Sequence, residues 1–214
     1  MNKTIIGLAA TGMLAATAMS ANAAETYTVD PSHTYGNFEI GHMGLSTMHG
    51  RIDVTGGEIV MDREGDTSSV NVTLDPATVD TGHDKRDEHL RDTEGFFEVD
   101  KYPEMRFKST RVTFDGDDEA TVEGDLTMHG TTKPVTLDVD DIVCKTNPMD
   151  EKKYTCGFSA ETEIKRSEFG MDAFVPLVSD EVEIHFGGDV APNSVIEHPP
   201  GNTHKFTQRH EEAG

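Results

Sequence analysis

The sequence lacks the short motifs that mark the common classes of enzyme and nucleotide-binding protein. It contains no Gly-x-Ser-x-Gly elbow, no glycine-rich phosphate loop, no His-Glu-x-x-His and no Cys-x-x-Cys, so no nucleophile, phosphate cradle, zinc site or thiol redox pair is indicated. Acidic turns such as 115–119 lack the spacing of a calcium loop and are predicted to be solvated hairpin tips. We therefore expect no catalytic residues, no metal ligands and no required cofactor.

Positive charge is also scarce. The chain has 18 Lys and Arg residues against 40 Asp and Glu, a formal net charge of −22 at pH 7. A surface this negative repels phosphate groups, which argues against nucleic acid and against anionic membranes as partners. Mutual repulsion of these charges favours a soluble protein, either a monomer or a dimer.

Long apolar runs are absent except near the N terminus. There Lys3 precedes a short apolar stretch, 5–18, and the small residues Ala21-Asn22-Ala23 follow it, which is the pattern of a secretory signal peptide. The stretch is too short and too rich in Ala, Gly and Thr to span a bilayer stably. Residues 1–23 are therefore predicted to be cleaved off after Ala23, which places the mature protein in the periplasm or outside the cell.

Only two cysteines occur, Cys144 and Cys156. In an oxidising compartment a disulfide between them is expected, with two buried free thiols as the alternative. If they face each other in a hairpin, both strands keep their apolar pattern only when one residue bulges at Asp140-Asp141. That bulge sets Val139 opposite Ala160.

What the sequence does contain is a recurrent alternation of apolar and polar residues, at the period of two that half-buried strands require. A change of phase at Gly56-Gly57 predicts a bulge, and turn-forming residues separate eight or nine strands. An antiparallel sheet of that size usually closes on itself. The pattern predicts an all-β domain over 24–190, followed by a flexible, Pro-, His- and Glu-rich tail over 191–214.

One charged segment interrupts the strands. Residues 84–92 can form a short helix that Asp84 caps, with Asp87 in its first turn and Arg91 four residues later. Leu90 is the only large apolar residue in this segment, so the helix cannot form a core. We interpret it as a cover over the strands, held by the aromatic pair Phe96-Phe97.

Several apolar residues from different strands share the inward phase: Phe38, Ile40, Phe107, Leu126, Met128, Phe158 and Phe186. From periodicity alone, a packed core is the simpler interpretation, and a cavity for one small ligand is the alternative. An apolar loop with Phe169 and Phe174 precedes the last strand. It could plug the interior or form a rim against which a ligand packs.

Ten histidines invite a metal hypothesis. His42 shares the inward phase, and His89 lies in the helical segment; a hydrogen-bonded structural role is favoured over ligation for both. His198, His204 and His210 lie in the tail at a spacing that matches no compact ligand motif. A solvated tail is favoured there, with a periplasmic metal-binding protein as the alternative.

The chain also resembles a known family along about 26–188. The resemblance lies in five ordered blocks of residues: 29–33, 38–51, 81–107, 124–135 and 166–170, the fourth being Gly-Asp-Leu-Thr-Met-His-Gly-Thr-Thr-Lys-Pro-Val. It resembles the YceI-like family of secreted, lipocalin-like, polyisoprenoid-binding proteins. The cysteine pair and the acidic tail are not part of that family pattern.

The resemblance implies an extended eight-stranded antiparallel lipocalin-like barrel that holds a long apolar lipid or isoprenoid, such as an isoprenoid quinone, for storage, transport or stress response. It also implies export and, as in some relatives, association with a cytochrome b561-type membrane protein. An enzyme that uses His42 or His89 with a carboxylate on a barrel-bound lipid is the alternative, but no nucleophile–base pair supports it.

The size of the ligand follows from simple arithmetic. Ten buried methylenes contribute roughly 8 kcal/mol, which association costs of about 4–15 kcal/mol could cancel, whereas about twenty contribute roughly 16 kcal/mol. A long chain is therefore expected, with a polar head near the opening and Arg86, His89 or Arg166 as its donors. The residues expected to contact the ligand are Phe38, Ile40, His42, Arg86, His89, Phe96, Phe97, Phe107, Leu126, Met128, Phe158, Arg166, Phe169, Phe174 and Phe186.

Overall fold

The computed structural model describes residues 24–192, which form one antiparallel sheet of nine strands. The strands are β1 (Glu25–Val29), β2 (Tyr35–His42), β3 (Ser46–Met61), β4 (Ser69–Asp80), β5 (Met105–Asp115), β6 (Glu119–Met128), β7 (Thr131–Asn147), β8 (Asp150–Lys165) and β9 (Val178–Pro192). Helix α1 (Asp84–Asp92) joins β4 to β5, and a 3₁₀ turn, Arg166–Phe169, follows β8. The predicted leader and residues 193–214 of the predicted tail lie outside the described residues.

The sheet closes into a ring of eight strands, β2 to β9. Every two consecutive strands from β2 to β9 pair with each other, including β3 with β4. The pairing of β2 with β9, the first and last of these strands, closes the ring. Strand β1 lies between β3 and β9 as a ninth, short strand. The eight-stranded antiparallel barrel with one helical insertion is thus confirmed. Closure gives each of the eight ring strands a pairing partner on both sides, the shortest pairing being the four residue pairs that join β4 to β5.

Strand β9 runs two residues past the predicted domain boundary at 190. Ala191 and Pro192 pair with Thr28 and Tyr27 of β1. The predicted tail therefore begins with residues that belong to the sheet. No helix within 24–192 is long and apolar enough to cross a membrane.

The predicted bulges appear where the apolar phase changes. The β3–β4 register shifts between Val54 and Gly56, as the glycine pair indicated. The β7–β8 register pairs Val139 with Ala160 and Cys144 with Cys156, as predicted. The two cysteines form a disulfide. The extra residue of β7 falls between Asp140 and Val143, where Asp141 adopts a φ of 56°, one position later than predicted.

Helix α1 has the predicted bounds, but its cap differs. The N-cap is His83, not Asp84, and the His83 ring nitrogen accepts from the backbone N–H of Arg86 at 3.3 Å. Asp87 is buried, and its carboxylate accepts bonds from the backbone N–H and the hydroxyl of Thr81. Asp87 therefore ties α1 to the end of β4, a tertiary role that helix-dipole arguments do not reveal.

The two ends of the barrel carry different connections. The α1 end comprises the β2–β3 turn, the β4–β5 connection with α1, the β6–β7 turn and the β8–β9 loop. The far end comprises the β3–β4, β5–β6 and β7–β8 turns together with β1. Tyr27 and Val29 of β1 and Val190 of β9 are almost completely buried. Strand β1 thus packs apolar side chains against the barrel on its far-end half.

Candidate ligand-binding site

The barrel encloses a cavity of about 670 Å³, within the usual range of roughly 300–1,000 Å³ for ligand sites. All eight ring strands line it, for example through Ile52 of β3, Leu137 of β7 and Ile184 of β9. Most of the lining side chains are apolar. The inward residues therefore form the wall of a hollow, and the simpler interpretation of a fully packed core does not hold.

The interior stays open partly because phenylalanine rings lie against glycines of neighbouring strands. A Cβ atom added at Gly50 would overlap the ring of Phe38, its direct cross-strand partner. A Cβ added at Gly124 would come within 2.5 Å of Phe107. Without these Cβ atoms, the rings can lie close to the neighbouring backbone, which saves lumen space. Sequence reasoning missed these pairs because the register that joins ring to glycine is a long-range property.

All predicted contact residues except Phe169 line this cavity. Phe169 is 1% exposed and belongs to the 3₁₀ turn, where its side chain packs in the core and its carbonyl contacts the His129 ring. The alternation rule could not place it, because the residues before it leave the strand. Its predicted contact with the ligand therefore finds no support in the geometry.

Three aromatic rings meet at the α1 end. His89 of α1 lies edge-on to Phe96 with centroids 5.4 Å apart, and Phe174 lies about 6 Å from both. Phe96 is 6% exposed, whereas Phe174 is 56% exposed. The cluster thus runs from the interior to the solvent. It confirms the predicted position of α1 beside the Phe96-Phe97 pair.

Arg86 and His89 offer donors at this end of the cavity. The Nε and Nη2 groups of Arg86 donate to the hydroxyl and carbonyl of Thr81 at 2.7 and 2.6 Å. Its Nη1 group forms no hydrogen bond within 24–192. His89 uses Nδ1 toward the Thr93 hydroxyl at 2.9 Å, which leaves Nε2. Both residues therefore retain groups that could bond to a ligand head.

Arg166 lines the cavity at the same end but uses most of its donors within the protein. It is 4% exposed, and its guanidinium donates to the carbonyls of Ser179, Met171, Ala173 and Val178 at 2.7–2.9 Å. Burial lowers its pKa, which nearby Asp180 and Asp172 partly offset. Four of its five N–H donors are taken. Arg166 is therefore mainly a clamp for the β8–β9 loop, with one N–H left for a ligand.

A second polar cluster, which sequence reasoning missed, lies at the same end. His129 of the β6–β7 turn contacts the Glu98 carboxylate through Nε2 at 2.8 Å and the Phe169 carbonyl through Nδ1 at 3.1 Å. The Tyr102 ring lies 4.2 Å from the His129 ring. Only the His129-Gly130 turn within a family motif hinted at this residue. The cluster joins the β4–β5 connection, the β6–β7 turn and the 3₁₀ turn.

Glu98 is the hub of this cluster. Its side chain is 10% exposed, and bonds from Lys101, from the backbone N–H of Gly95 and from His129 lower its pKa to about 2. Glu98 and His129 both adopt positive φ, 47° and 51°, a conformation that is costly for residues other than glycine. The contacts around them hold these conformations in place.

His42 and His89 are expected from the sequence to be structural histidines in preference to metal ligands. Within 24–192 no group of three or more His, Cys, Asp or Glu side chains is placed to hold a metal ion. His42 lines the cavity and is half-buried. The tail histidines His198, His204 and His210 lie outside the described residues.

Comparison with protein families and relatives agrees with this geometry. The family model described as YceI-like domain matches residues 27–189. A UPF0312 protein of Serratia proteamaculans is 39% identical over 187 residues, which cover 86% of this chain and 94% of that protein. Protein YceI of Escherichia coli O6:H1 is 37% identical over 187 residues, covering 86% and 95%.

Two solved structures have the same fold. The structure of Burkholderia cenocepacia BcnA matches with a TM-score of 0.62 at 23% identity, covering 75% of this chain and 98% of that one. A polyisoprenoid binding domain from Saccharophagus degradans, implicated in plant cell wall breakdown, matches with a TM-score of 0.55 at 19% identity, covering 78% and 98%. At these identities the structural likeness concerns the fold alone.

Proposed function

The chain belongs to the YceI-like domain family, and on that premise we propose that it is an exported, non-enzymatic carrier of a long apolar lipid or isoprenoid. The observation that supports this most directly is the apolar cavity of about 670 Å³ along the barrel interior. The polyisoprenoid-binding domain with the same fold favours an isoprenoid chain over other lipids. Storage, transport or a stress response are the roles that such a carrier serves.

The long strands support an elongated ligand. Strands β3, β7 and β8 contain 16, 17 and 16 residues, or roughly 50 Å each at about 3.3 Å per residue. Even at a strand tilt of about 40°, such strands enclose a deep interior. Because each buried methylene contributes about 0.8 kcal/mol, a ligand gains in proportion to the length of this interior that it fills.

The polar lining groups support one orientation of the ligand. The lining groups that can carry charge, Arg86, His89, His42 and the remaining N–H of Arg166, belong to the α1 end of the cavity. Toward the far end the lining has only neutral polar side chains, those of Thr34 and Asn37. A head with hydrogen-bond acceptors, such as the carbonyls of a quinone ring, would lie among the groups of the α1 end. The apolar tail would then extend toward the far end.

Export and partners complete the proposal. The signal-peptide pattern of 1–23 and the Cys144–Cys156 disulfide support an oxidising compartment, the periplasm or the exterior. A cytochrome b561-type membrane protein remains a proposed partner, and a monomer or dimer the proposed state.

The experiment compares two neighbouring residues of β6 that face opposite ways. Ala120 lines the cavity and is 6% exposed, whereas Thr121 is exposed on the outer face. Ala120→Phe fills the far part of the cavity and should abolish loading of a long prenyl quinone, measured by native mass spectrometry. Thr121→Phe should load like the wild type.

Wild-type protein that carries no co-purified lipid and takes up no added prenyl quinone would contradict the proposal. Equal loading of both variants would show that the cavity is not where the ligand resides. Thermal unfolding of each variant separates loss of binding from loss of folding.

A further inference from the structure

Two loops at the α1 end expose an unusual amount of apolar surface. We call them the rim loops: residues 41–48 around the β2–β3 turn, and residues 173–179, which run from the β8–β9 loop into the first two residues of β9. They touch, since the backbone N–H of Met43 donates to the carbonyl of Leu177 at 2.6 Å. The large apolar side chains that they expose are those of Met43 at 55%, Leu45 at 83%, Phe174 at 56%, Val175 at 36% and Leu177 at 59%.

These five account for most of the large apolar residues that the described chain exposes. The other three are dispersed: Tyr35 lies at the start of β2, Val143 lies within β7, and Met149 lies in the β7–β8 turn. Single exposed apolar residues are normal on protein surfaces, whereas a contiguous group marks an interaction surface. The rim loops form such a group.

The rim loops also lack charge. Neither stretch contains Asp, Glu, Lys or Arg, although 27% of the chain is charged and its net charge is −22. Asp172 and Asp180 flank the second loop directly. An electrically neutral patch within so acidic a protein is complementary to a neutral surface and not to a charged one.

The patch is continuous with the cavity. Met43, Phe174 and Leu177 line the cavity and are also exposed. No other exposed large apolar residue of the described chain lines it. Leu45 and Val175 are exposed without reaching the cavity. Through these three side chains the apolar inner wall of the barrel therefore continues into the outer surface of the rim loops, beside the polar lining groups of the same end.

We propose that the rim loops are a docking surface for a zwitterionic lipid bilayer, whose surface has no net charge. The cargo would enter and leave the cavity where the rim loops contact this bilayer. This proposal extends the carrier function proposed above and rests on it, since that function identifies the cargo as a long apolar lipid or isoprenoid. Leu, Met, Phe and Val side chains partition into the boundary between headgroups and acyl chains, and binding grows with the apolar area buried there. Helix α1 lies beside this surface, since the His89 ring lies 6.1 Å from the Phe174 ring.

A protein partner fits the surface less well. Protein interfaces carry about one hydrogen bond per 100–200 Å² and a polar rim, whereas only four side chains of the rim loops, those of His42, Ser46, Thr47 and Ser179, offer donors or acceptors. The overall negative charge repels anionic lipids. A neutral bilayer is the surface that meets both conditions.

The first test uses the absence of tryptophan from the chain. Leu45→Trp places a single fluorophore at the tip of the patch, and Met149→Trp places one at the far end, on a residue that is 92% exposed. With phosphatidylcholine vesicles, Leu45→Trp should shift to the blue and be quenched by lipids brominated on the acyl chain. Met149→Trp should do neither. Equal behaviour of the two probes would overturn the proposal.

The second test measures binding directly by vesicle flotation. Leu45→Glu should lower partitioning onto phosphatidylcholine vesicles about tenfold or more, because an apolar group is replaced by a charge. Met149→Glu should leave partitioning unchanged. Wild-type protein that fails to float, or that floats only with anionic phosphatidylglycerol, would overturn the proposal and favour a protein partner or a charge-driven contact.

Loading from detergent micelles separates this proposal from the carrier function. Since Leu45 does not line the cavity, Leu45→Glu should load prenyl quinone from micelles like the wild type but acquire it more slowly from vesicles. If wild-type protein loads nothing from micelles, the carrier function fails whatever the vesicles show. If the variant acquires quinone from vesicles at the wild-type rate, the docking surface fails while the carrier function stands.

Discussion

The two ends of the barrel share the same ring of strands and differ in nearly everything that joins those strands. At the α1 end the rim loops are apolar, uncharged and exposed. At the far end the turns are charged: the β3–β4 turn includes Asp62, Arg63, Glu64 and Asp66, and the β5–β6 turn has the sequence Asp115-Gly-Asp-Asp-Glu. The strands create the hollow, but the loops decide which end presents it to the surroundings.

The ends also differ in how they are held. The far-end half is held by apolar packing of β1 and by the Cys144–Cys156 disulfide. The α1 end is held by buried polar contacts: Arg166 with four carbonyls, and Glu98 with His129. Removing one partner of a buried polar contact leaves the other unsatisfied, so such contacts are rigid and sensitive to mutation. We therefore expect these contacts to hold the apolar loops of the α1 end in one conformation beside the cavity.

The largest effect is expected from removing the Arg166 guanidinium, which holds the β8–β9 loop at the α1 end. Arg166→Met leaves four loop carbonyls without their donor and should lower the free energy of unfolding by about 3 kcal/mol or more. Arg63→Met is the matched change at the far end, where exposed Arg63 lies 4.7 Å over the Phe114 ring, and should cost no more than about 1 kcal/mol. Urea unfolding measures both. Equal losses would contradict the difference drawn between the ends.

A smaller effect concerns the glycines of β3, where Gly50 lies nearer the α1 end and Gly56 nearer the far end. A Cβ at Gly50 would overlap the Phe38 ring, whereas nothing lies within 4 Å of one at Gly56. Gly50→Ala should therefore cost about 1–3 kcal/mol and push the ring into the cavity, which lowers loading of prenyl quinone. Gly56→Ala should be close to neutral in both unfolding and loading. If both variants load fully, the ring–glycine contact does not shape the lumen.

The smallest expected effect is the pH dependence of two carboxylates. The pKa of Glu98 and that of Asp30 are both lowered to about 2, Glu98 mainly by Lys101 and Asp30 mainly by Ser32. Because a lowered pKa in the folded state stabilises it, the contribution is present above the ordinary value of about 4.5 for Glu98 and is lost as the pH falls toward 2.

Thermal unfolding between pH 7 and pH 2 measures this contribution. Glu98→Gln should unfold at a lower temperature than the wild type at pH 7, and the difference should vanish in acid. Asp30→Asn should show the same trend with a smaller amplitude, because the side-chain bonds of Asp30 stay within its own turn, 30–33, whereas Glu98 bonds to another segment. A difference for Glu98→Gln that persists unchanged at pH 2 would contradict the role of its charge.

Much of the fold could be predicted from the sequence because strands follow a local rule. Apolar residues at alternate positions, as in 36–42 and 120–128, indicate one buried face wherever they occur. A break in that alternation, as at Gly56-Gly57, marks a bulge without any knowledge of the partner strand. The cysteine register worked for the same reason: one long-range constraint, added to two local patterns, left one bulge as the solution.

The alternation rule identified the apolar residues of the cavity wall, but it did not predict the contacts that the polar lining residues make. Phe38, Phe107 and Phe186 face inward by parity alone. Arg166 and Phe169 lie in the 3₁₀ turn, where the alternation of a strand no longer predicts which side chains face inward. Arg166 holds the β8–β9 loop, and Phe169 packs in the core. Arg166 also bonds to the start of β9, and Glu98 bonds to His129 of the β6–β7 turn. No local pattern could reveal these contacts.

The sequence by itself determined a closed apolar sheet, its helical cover, its cysteine pair and its family, since each depends on spacing along the chain or on residues in fixed order. Only the tertiary structure decided that the inward side chains leave a hollow, because ring–glycine contacts depend on strand register. It also decided at which end the cavity wall joins an exposed apolar surface: Met43 and Leu177 are far apart in sequence and form one surface only when ring closure brings their loops together.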